Sequence, residues 1–306
     1  MSGTGGAAAP VGFIGLGMMG LPMARCLLRR GRSLVACDPS AAAREALAEG
    51  AAPGGGGVRF VDTPAEVAEA CTVVVAMLPD SRVVAQVMEG PGGLLAVLRP
   101  GQVVVDMGSS EPAETRRLAE ATAGRGAAFI DAPVSGSVAK AQAGTLAIMV
   151  GGGDAGFVRA EPVLRGMGET IIRTGAVGSA HAMKALNNYV YAAGLLAVAE
   201  ALRMAERLDL DLGVLADVLN ASSGRNVATE TKVRQEILTG RYAGGFQLGL
   251  MRKDLETAGA IAAETGFDAP ALSLCRALWN EAVAALGPKA DNTEIHRFLG
   301  ERGGTR

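Results

Sequence analysis

Val11-Gly12-Phe13-Ile14-Gly15-Leu16-Gly17-Met18-Met19-Gly20, continued by a helical pattern over residues 21–31 and by Ser33-Leu34-Val35-Ala36-Cys37-Asp38, decides the fold. The first four residues form a short apolar strand, the Gly-x-Gly-x-x-Gly run is a turn, and Gly31 closes the helix. A second apolar strand ends in Asp38, eighteen residues after Gly20. Glycine turns arise readily in a chain with 43 glycines, but strand, glycine turn, helix, strand and terminal acid in this order make a dinucleotide-binding unit. Gly15 permits the tight turn, Gly17 lets the backbone approach a pyrophosphate, Gly20 lets helix pack on strand, and the helix N-terminus faces the phosphate charge. Gly15, Leu16, Gly17, Met18, Met19 and Gly20 are therefore assigned to the cofactor. Asp38 belongs with them. Its carboxylate accepts from a ribose 2′-OH and repels a 2′-phosphate, and Pro39 rather than an arginine follows, so the pattern predicts NAD rather than NADP. Two features bear on this choice: Asp38 also suits a cap for the helix over 39–49, and Arg44 lies within reach of a phosphate.

Outward from this unit, 72–78 and 102–106 are continuous apolar runs, as parallel strands buried on both faces require. They end at Leu78-Pro79-Asp80 and at Gly108-Ser109-Ser110, and strand carboxyl ends in such sheets border the ligand crevice. Leu78, Pro79 and Ser109 are thus cofactor candidates. Further strands are expected at 127–131, 146–150 and 170–173, completing a dinucleotide-binding domain over 10–176. Residues 1–9 read as a disordered lead-in and 50–57 as a flexible glycine loop. Between two of the strands, Ser135-Gly136-Ser137 opens a helix and offers N–H groups and hydroxyls suited to a carboxylate.

Residues 178–207 form one helical pattern about 45 Å long at roughly 1.5 Å per residue. Lys184, Asn187, Asn188 and Tyr191 fall at i, i+3, i+4 and i+7, a polar stripe on a surface of Ala, Leu, Val and Met. Lysine alone is ordinarily a solvated residue. Two adjacent asparagines, poor helix formers, point instead to amides that hold something. Beyond it, 222–225 marks a helix–helix turn, and 246–264 and 270–286 read as core helices with Gly266 and Gly287 as stops.

At 306 residues, two domains are expected. Charged residues make up 20% of the chain and the net charge is −2, which gives no electrostatic basis for binding nucleic acid or an anionic membrane. No apolar run reaches the 18 or so residues of a membrane span. Cys26, Cys37, Cys71 and Cys275 form no CxxC and read as buried free thiols, in keeping with a cytoplasmic protein. With only His181 and His296, a histidine zinc site or a Ser/His/Asp triad has few candidates, and no metal is expected.

Four segments, GFIGLGMMGLPMA, DAPVSGSVAKAQAGTLAIMVGG, GSAHAMKALNN and FQLGLMRKDL at 246–255, together resemble the β-hydroxyacid dehydrogenase family, which includes 3-hydroxyisobutyrate dehydrogenase. The resemblance spans nearly the whole chain. It implies an α/β fold: an N-terminal Rossmann-like doubly wound sheet and an all-helical C-terminal substrate and oligomerisation domain over 177–306, joined by the long interdomain helix. It further implies hydride transfer between NAD and a small 3-hydroxy acid, or its semialdehyde. By resemblance Asn188 and the Ser135-Gly136 loop hold the substrate carboxylate, Ser109 contacts the cofactor and Lys253 reaches its nicotinamide end. Ser137 stands where the family commonly has Gly, which narrows the pocket or adds a hydrogen bond. Lys184 is the expected base, since the chemistry needs a group to take the hydroxyl proton and no histidine is placed to do so. Much apolar helical surface predicts a homodimer or homotetramer. The alternatives are reduction of another short semialdehyde (tartronate, succinic or sulfonated), an imine reductase, a class that usually lacks the lysine, and a non-catalytic NAD-binding protein.

Overall fold

The computed structural model describes residues 9–50 and 56–302 and divides into two compact units, Met1–Lys184 and Ala185–Arg306. The expectations for the lead-in and for most of the glycine loop fall on 1–8 and 51–55, outside the described residues.

In the first unit the strands are β1 (Val11–Ile14), β2 (Leu34–Cys37), β3 (Val58–Phe60), β4 (Val73–Ala76), β5 (Val103–Asp106), β6 (Ala128–Asp131), β7 (Val134–Ser135), β8 (Leu146–Gly151) and β9 (Gly168–Gly175). They form one sheet in the order β3-β2-β1-β4-β5-β6-β8-β7, with β9 on β8. The first six pair in parallel. The chain runs outward from β1 through β2 to β3, then returns to place β4 on the other side of β1, so strand order reverses between β1 and β4. Ligands of open α/β sheets bind at such a reversal.

Helices α1 (Gly20–Arg29), α2 (Ala41–Glu49), α3 (Pro64–Ala70), α4 (Ser81–Glu89), α5 (Pro112–Ala123), α6 (Val138–Ala143) and α7 (Asp154–Leu164) connect the strands. Successive strand residues enter opposite cores: Val73 and Val75 join Phe13, Met23 and Leu27, while Val74 joins Val67, Val84 and Leu118. Both faces are thus apolar, which is why the strands read as unbroken runs rather than alternations.

Some elements differ from expectation. β3, α3, α4 and the two-residue β7 were not assigned, although Thr63 and Glu66 form a capping box at α3 that the residues spell out. β8 runs antiparallel to β6, because α6 has only six residues and the connection returns beside β7 instead of crossing over the sheet.

Helix α8 (Ser179–Arg207) has 29 residues and continues from the first unit into the second. The division between the two units falls within this helix, after Lys184. The second unit continues with α9 (Leu212–Ala221), α10 (Val227–Thr231), α11 (Leu248–Thr265), α12 (Pro270–Leu286) and α13 (Ile295–Arg302). Its core gathers Leu195, Leu202, Met251, Leu255 and Ile295 about Trp279. Among the described residues no helix is long and apolar enough to cross a membrane, and no group of three or more His, Cys, Asp or Glu is placed to hold a metal.

Candidate functional site

Three turns meet at the carboxyl ends of β1, β4 and β5. A Cβ on Gly15 would strike the Met77 carbonyl, and one on Gly108 would lie 2.8 Å from the Leu78 carbonyl. The glycine loop, the turn of Leu78 and Pro79, and the turn of Ser109 therefore lie side by side. Gly17 differs from its neighbours, since a Cβ there would meet nothing within 4 Å. No internal packing demands glycine at this position. Its openness suits close approach of a ligand to the backbone: Gly17 and Met18, just ahead of α1, are exposed, and a helix N-terminus is suited to pyrophosphate.

Asp38, just beyond β2, is 9% exposed. Its Oδ2 accepts the Leu16 N–H at 2.6 Å and its Oδ1 the Ser40 N–H at 2.8 Å, so the carboxylate latches the glycine loop as well as the entry to α2. The helix cap proper is Ser40, whose hydroxyl accepts from Ala43. Arg44 is engaged nearby: its guanidinium donates to the carbonyls of Asp38 and Val61 and pairs with Asp62 at 3.0 Å.

Ser135 ends β7 and Gly136 follows at φ +145°, where a Cβ would crowd Leu146 and Lys140. The Ser137 hydroxyl is exposed and accepts the Lys140 N–H at 3.4 Å, capping α6. That local role accounts for a serine here without reference to a ligand.

Lys184 and Asn188 stand one turn apart on α8, half-buried and buried respectively. The Asn188 amide is oriented from two sides: its oxygen accepts from Asn187 at 3.0 Å and its nitrogen donates to the buried Asp254 on α11. Lys253, beside it, lies 4.0 Å from the Asp254 carboxylate. Farther along the polar stripe, burial pushes the Tyr191 phenol up to about 12, opposed by the amide of Asn292 that donates to it. That phenol keeps its proton at neutral pH and is no candidate base. Burial also raises all four thiols, which are free and buried as expected.

Residues that the sequence did not single out frame these. Asp131, at the end of β6, accepts the N–H groups of Gly178 (2.8 Å) and His181 (3.0 Å) and so caps α8 from a distant strand. Asp106, its register partner on β5, accepts from Gly108 at 2.9 Å and from the Ser110 hydroxyl at 2.7 Å. The imidazole of His181 is wholly buried. Asp254 had one legible signal, its place directly after Lys253; the capping partners, separated by 47 and 50 positions, had none.

Residues 10–176 match the family model described as the NAD binding domain of 6-phosphogluconate dehydrogenase, and 178–299 the one described as NAD-binding of NADP-dependent 3-hydroxyisobutyrate dehydrogenase. Over 246 residues the chain is 38% identical to 2-(hydroxymethyl)glutarate dehydrogenase of Eubacterium barkeri, covering 80% of this chain and 79% of that one. Over 298 residues it is 36% identical to human mitochondrial 3-hydroxyisobutyrate dehydrogenase, covering 95% and 87%. Among solved structures, 3-hydroxyisobutyrate dehydrogenase of Mycobacterium tuberculosis with L-serine is similar at a TM-score of 0.88 and 32% identity, covering 95% of this chain and 99% of that one.

Proposed function

The chain belongs to the β-hydroxyacid dehydrogenase family, and on that premise we propose that it transfers a hydride between NAD and a short 3-hydroxy acid, with Lys184 moving the proton. The observation that carries this reading is Lys184 one helical turn ahead of an oriented Asn188, in a chain whose first unit is built as a dinucleotide cradle.

The substrate class follows from shared chemistry. 3-Hydroxyisobutyrate, 2-(hydroxymethyl)glutarate and L-serine, the compounds named with the relatives, all contain HO–CH2–CH(R)–COO⁻. We infer a primary alcohol two carbons from a carboxylate as the substrate, and the corresponding semialdehyde as its oxidised form. When bound, the nicotinamide supplies or takes up the hydride. The Lys184 amine takes the hydroxyl proton in the oxidative direction and returns it to the aldehyde oxygen in the other. An amide nitrogen carries two hydrogens; Asp254 accepts one from Asn188, and the second is assigned to the substrate. The N–H groups of the Ser135-Gly136-Ser137 loop are assigned to the carboxylate, Gly15–Gly20, Leu78, Pro79 and Ser109 to the cofactor, and Lys253 to its nicotinamide end.

NAD is the proposed cofactor. The Asp38 carboxylate, which latches Leu16 and Ser40, disfavours a 2′-phosphate beside it, and Arg44 is engaged with Val61 and Asp62. The alternative is NADP, in keeping with the description of the family model over 178–299.

The test is a panel of 3-hydroxyisobutyrate, 2-(hydroxymethyl)glutarate, L-serine, 4-hydroxybutyrate, tartronate and sulfonated semialdehydes and a cyclic imine, each with NAD(H) and NADP(H), followed by nicotinamide absorbance. Turnover of at least one HO–CH2–CH(R)–COO⁻ compound above the others is expected. Turnover of imines alone, or of none of these, would overturn the assignment.

A further inference from the structure

We propose that His181 is a positioning residue, its buried imidazole holding the turn that carries Ser109 in register with the turn of α8 that carries Lys184. His181 precedes Lys184 by three residues, so the two side chains leave neighbouring positions of one helix face. The backbone of this first turn is already fixed, because Asp131 accepts the N–H groups of Gly178 and His181. The side chain reaches elsewhere. Its Nδ1 lies 2.8 Å from the Thr115 hydroxyl on α5, and its Nε2 faces Asp106 Oδ2 at 3.9 Å with no hydrogen-bond partner among the described residues.

Asp106 is the residue that shapes the Ser109 turn. One of its oxygens accepts from the Gly108 N–H and the other from the Ser110 hydroxyl, on either side of Ser109. One imidazole thus connects α8, α5 and the end of β5, and His181, Asp106, Ser110 and Thr115 are all at most 3% exposed.

The proton count states what the imidazole does there. Thr115 has one hydroxyl hydrogen, and its oxygen lies 3.0 Å from the Glu111 carbonyl as well as near His181. If that hydrogen goes to His181 Nδ1, the neutral ring carries its own hydrogen on Nε2, aimed at Asp106. If it goes to Glu111, Nδ1 carries the hydrogen, and a bare Nε2 lone pair opposes a carboxylate. The first count is the favourable one, since it turns an Nε2–H toward Asp106, an attraction strengthened by the low dielectric of a buried site. Asp131 is a second carboxylate beside Asp106 by strand register, and the helix N–H groups it accepts balance its charge. A ring satisfied only by packing would need none of this arrangement.

The kinetic part of the proposal rests on the roles assigned above to Lys184 and Ser109; the physical link does not. The test therefore has two arms on the full chain, with His181→Ala, His181→Gln and Asp106→Asn. In the first, amide hydrogen exchange without cofactor should quicken over 107–111 in His181→Ala and Asp106→Asn, and return toward the parent rate in His181→Gln, whose amide can donate in place of Nε2. In the second, with NAD and 3-hydroxyisobutyrate, His181→Ala should raise KM for NAD and lower kcat, together about 10- to 100-fold in kcat/KM, the scale of a displaced reactive group. The double variant with Asp106→Asn should lose little more than Asp106→Asn alone, since the contact removed by His181→Ala is already weakened there. If His181→Ala does not fold, His181→Asn, polar but too short to span the gap, replaces it with the same expectations. Exchange over 107–111 unchanged relative to the rest of the chain overturns the proposal. So do kinetic losses that add in the double variant. A parent protein that turns over no 3-hydroxy acid would instead sink the proposed function, and the exchange arm would still decide the role of His181.

Discussion

Lys184 carries the proposed chemistry, and its replacement separates proton transfer from binding. Lys184→Ala should leave NAD affinity intact, because alanine favours the helix and the glycine loop lies elsewhere in the chain, while kcat falls by roughly 10² to 10⁴. Lys184→Arg should fare almost as badly, since a guanidinium does not release its proton near neutral pH. Steady-state kinetics with cofactor binding measured alongside will check both, and turnover of the alanine variant within tenfold of the parent would rule the lysine out. Asp38 raises a different issue, because its carboxylate is both the proposed ribose acceptor and the latch on Leu16. Asp38→Asn keeps an acceptor for one of the two N–H groups and removes the charge. The ratio of kcat/KM for NAD over NADP should therefore fall by about tenfold or more, the size of a charge interaction of about 1.4 kcal/mol or more. An unchanged ratio would place cofactor choice in other residues.

Helix α8 shows how an element can be legible in extent and hidden in attachment. Its period and length are evident from 178–207, and the structure begins it at Ser179 and ends it at Arg207. Its cap is not a neighbouring Ser, Thr, Asp or Asn but Asp131, which belongs to β6. Asp131→Ala would leave two buried N–H groups unsatisfied and should destabilise the chain by roughly 2 to 4 kcal/mol. Urea unfolding will measure this, and a loss below about 1 kcal/mol would mean that water or a rearranged turn takes over the cap. By contrast, α3 declares its own start through Thr63 and Glu66, and α11 its end through Gly266 at φ +66°.

At the scale of the molecule, acid should weaken the fold through His296. Burial, aided by the Arg203 guanidinium and opposed by Glu206, pushes this imidazole down to about 4 from the ordinary 6.5. The unfolded chain thus binds a proton more readily than the folded one, so the folded state is favoured above pH 6.5 and loses that advantage as pH falls toward 4. The loss from this group alone is about 3 kcal/mol, levelling off below the folded value. His296→Gln should flatten the unfolding free energy between these limits; an unchanged slope would show other groups to govern it. Association is the other whole-chain expectation. Val190, Met204, Leu208, Val214 and Val218 are exposed apolar side chains on α8, α9 and the link between them, surface that association would cover. Light scattering should give a mass two or four times the 31.0 kDa of one chain, and a monomer at micromolar concentration would refute it.

The residues alone determined what local pattern determines. The glycine turn between two apolar strands, the long amphipathic helix, and the order of α/β before all-helical segments follow from steric permission at glycine and from periodicities of 2.0 and 3.6 residues. Lys184, Asn188 and Asp38 could be singled out as candidates for the same reason, since each stands at a fixed offset from such a pattern. Only the tertiary structure decided the rest, because a parallel sheet sets side by side residues that the chain keeps far apart. Asp106 and Asp131 meet by strand register, His181 comes to face Asp106 across 75 positions, Asp254 finds Asn188 across 66, and β8 turns antiparallel where a short α6 cannot cross the sheet. None of these pairings leaves a mark on its neighbours in sequence, since buried polar groups must find partners and folding alone selects which partners come within reach.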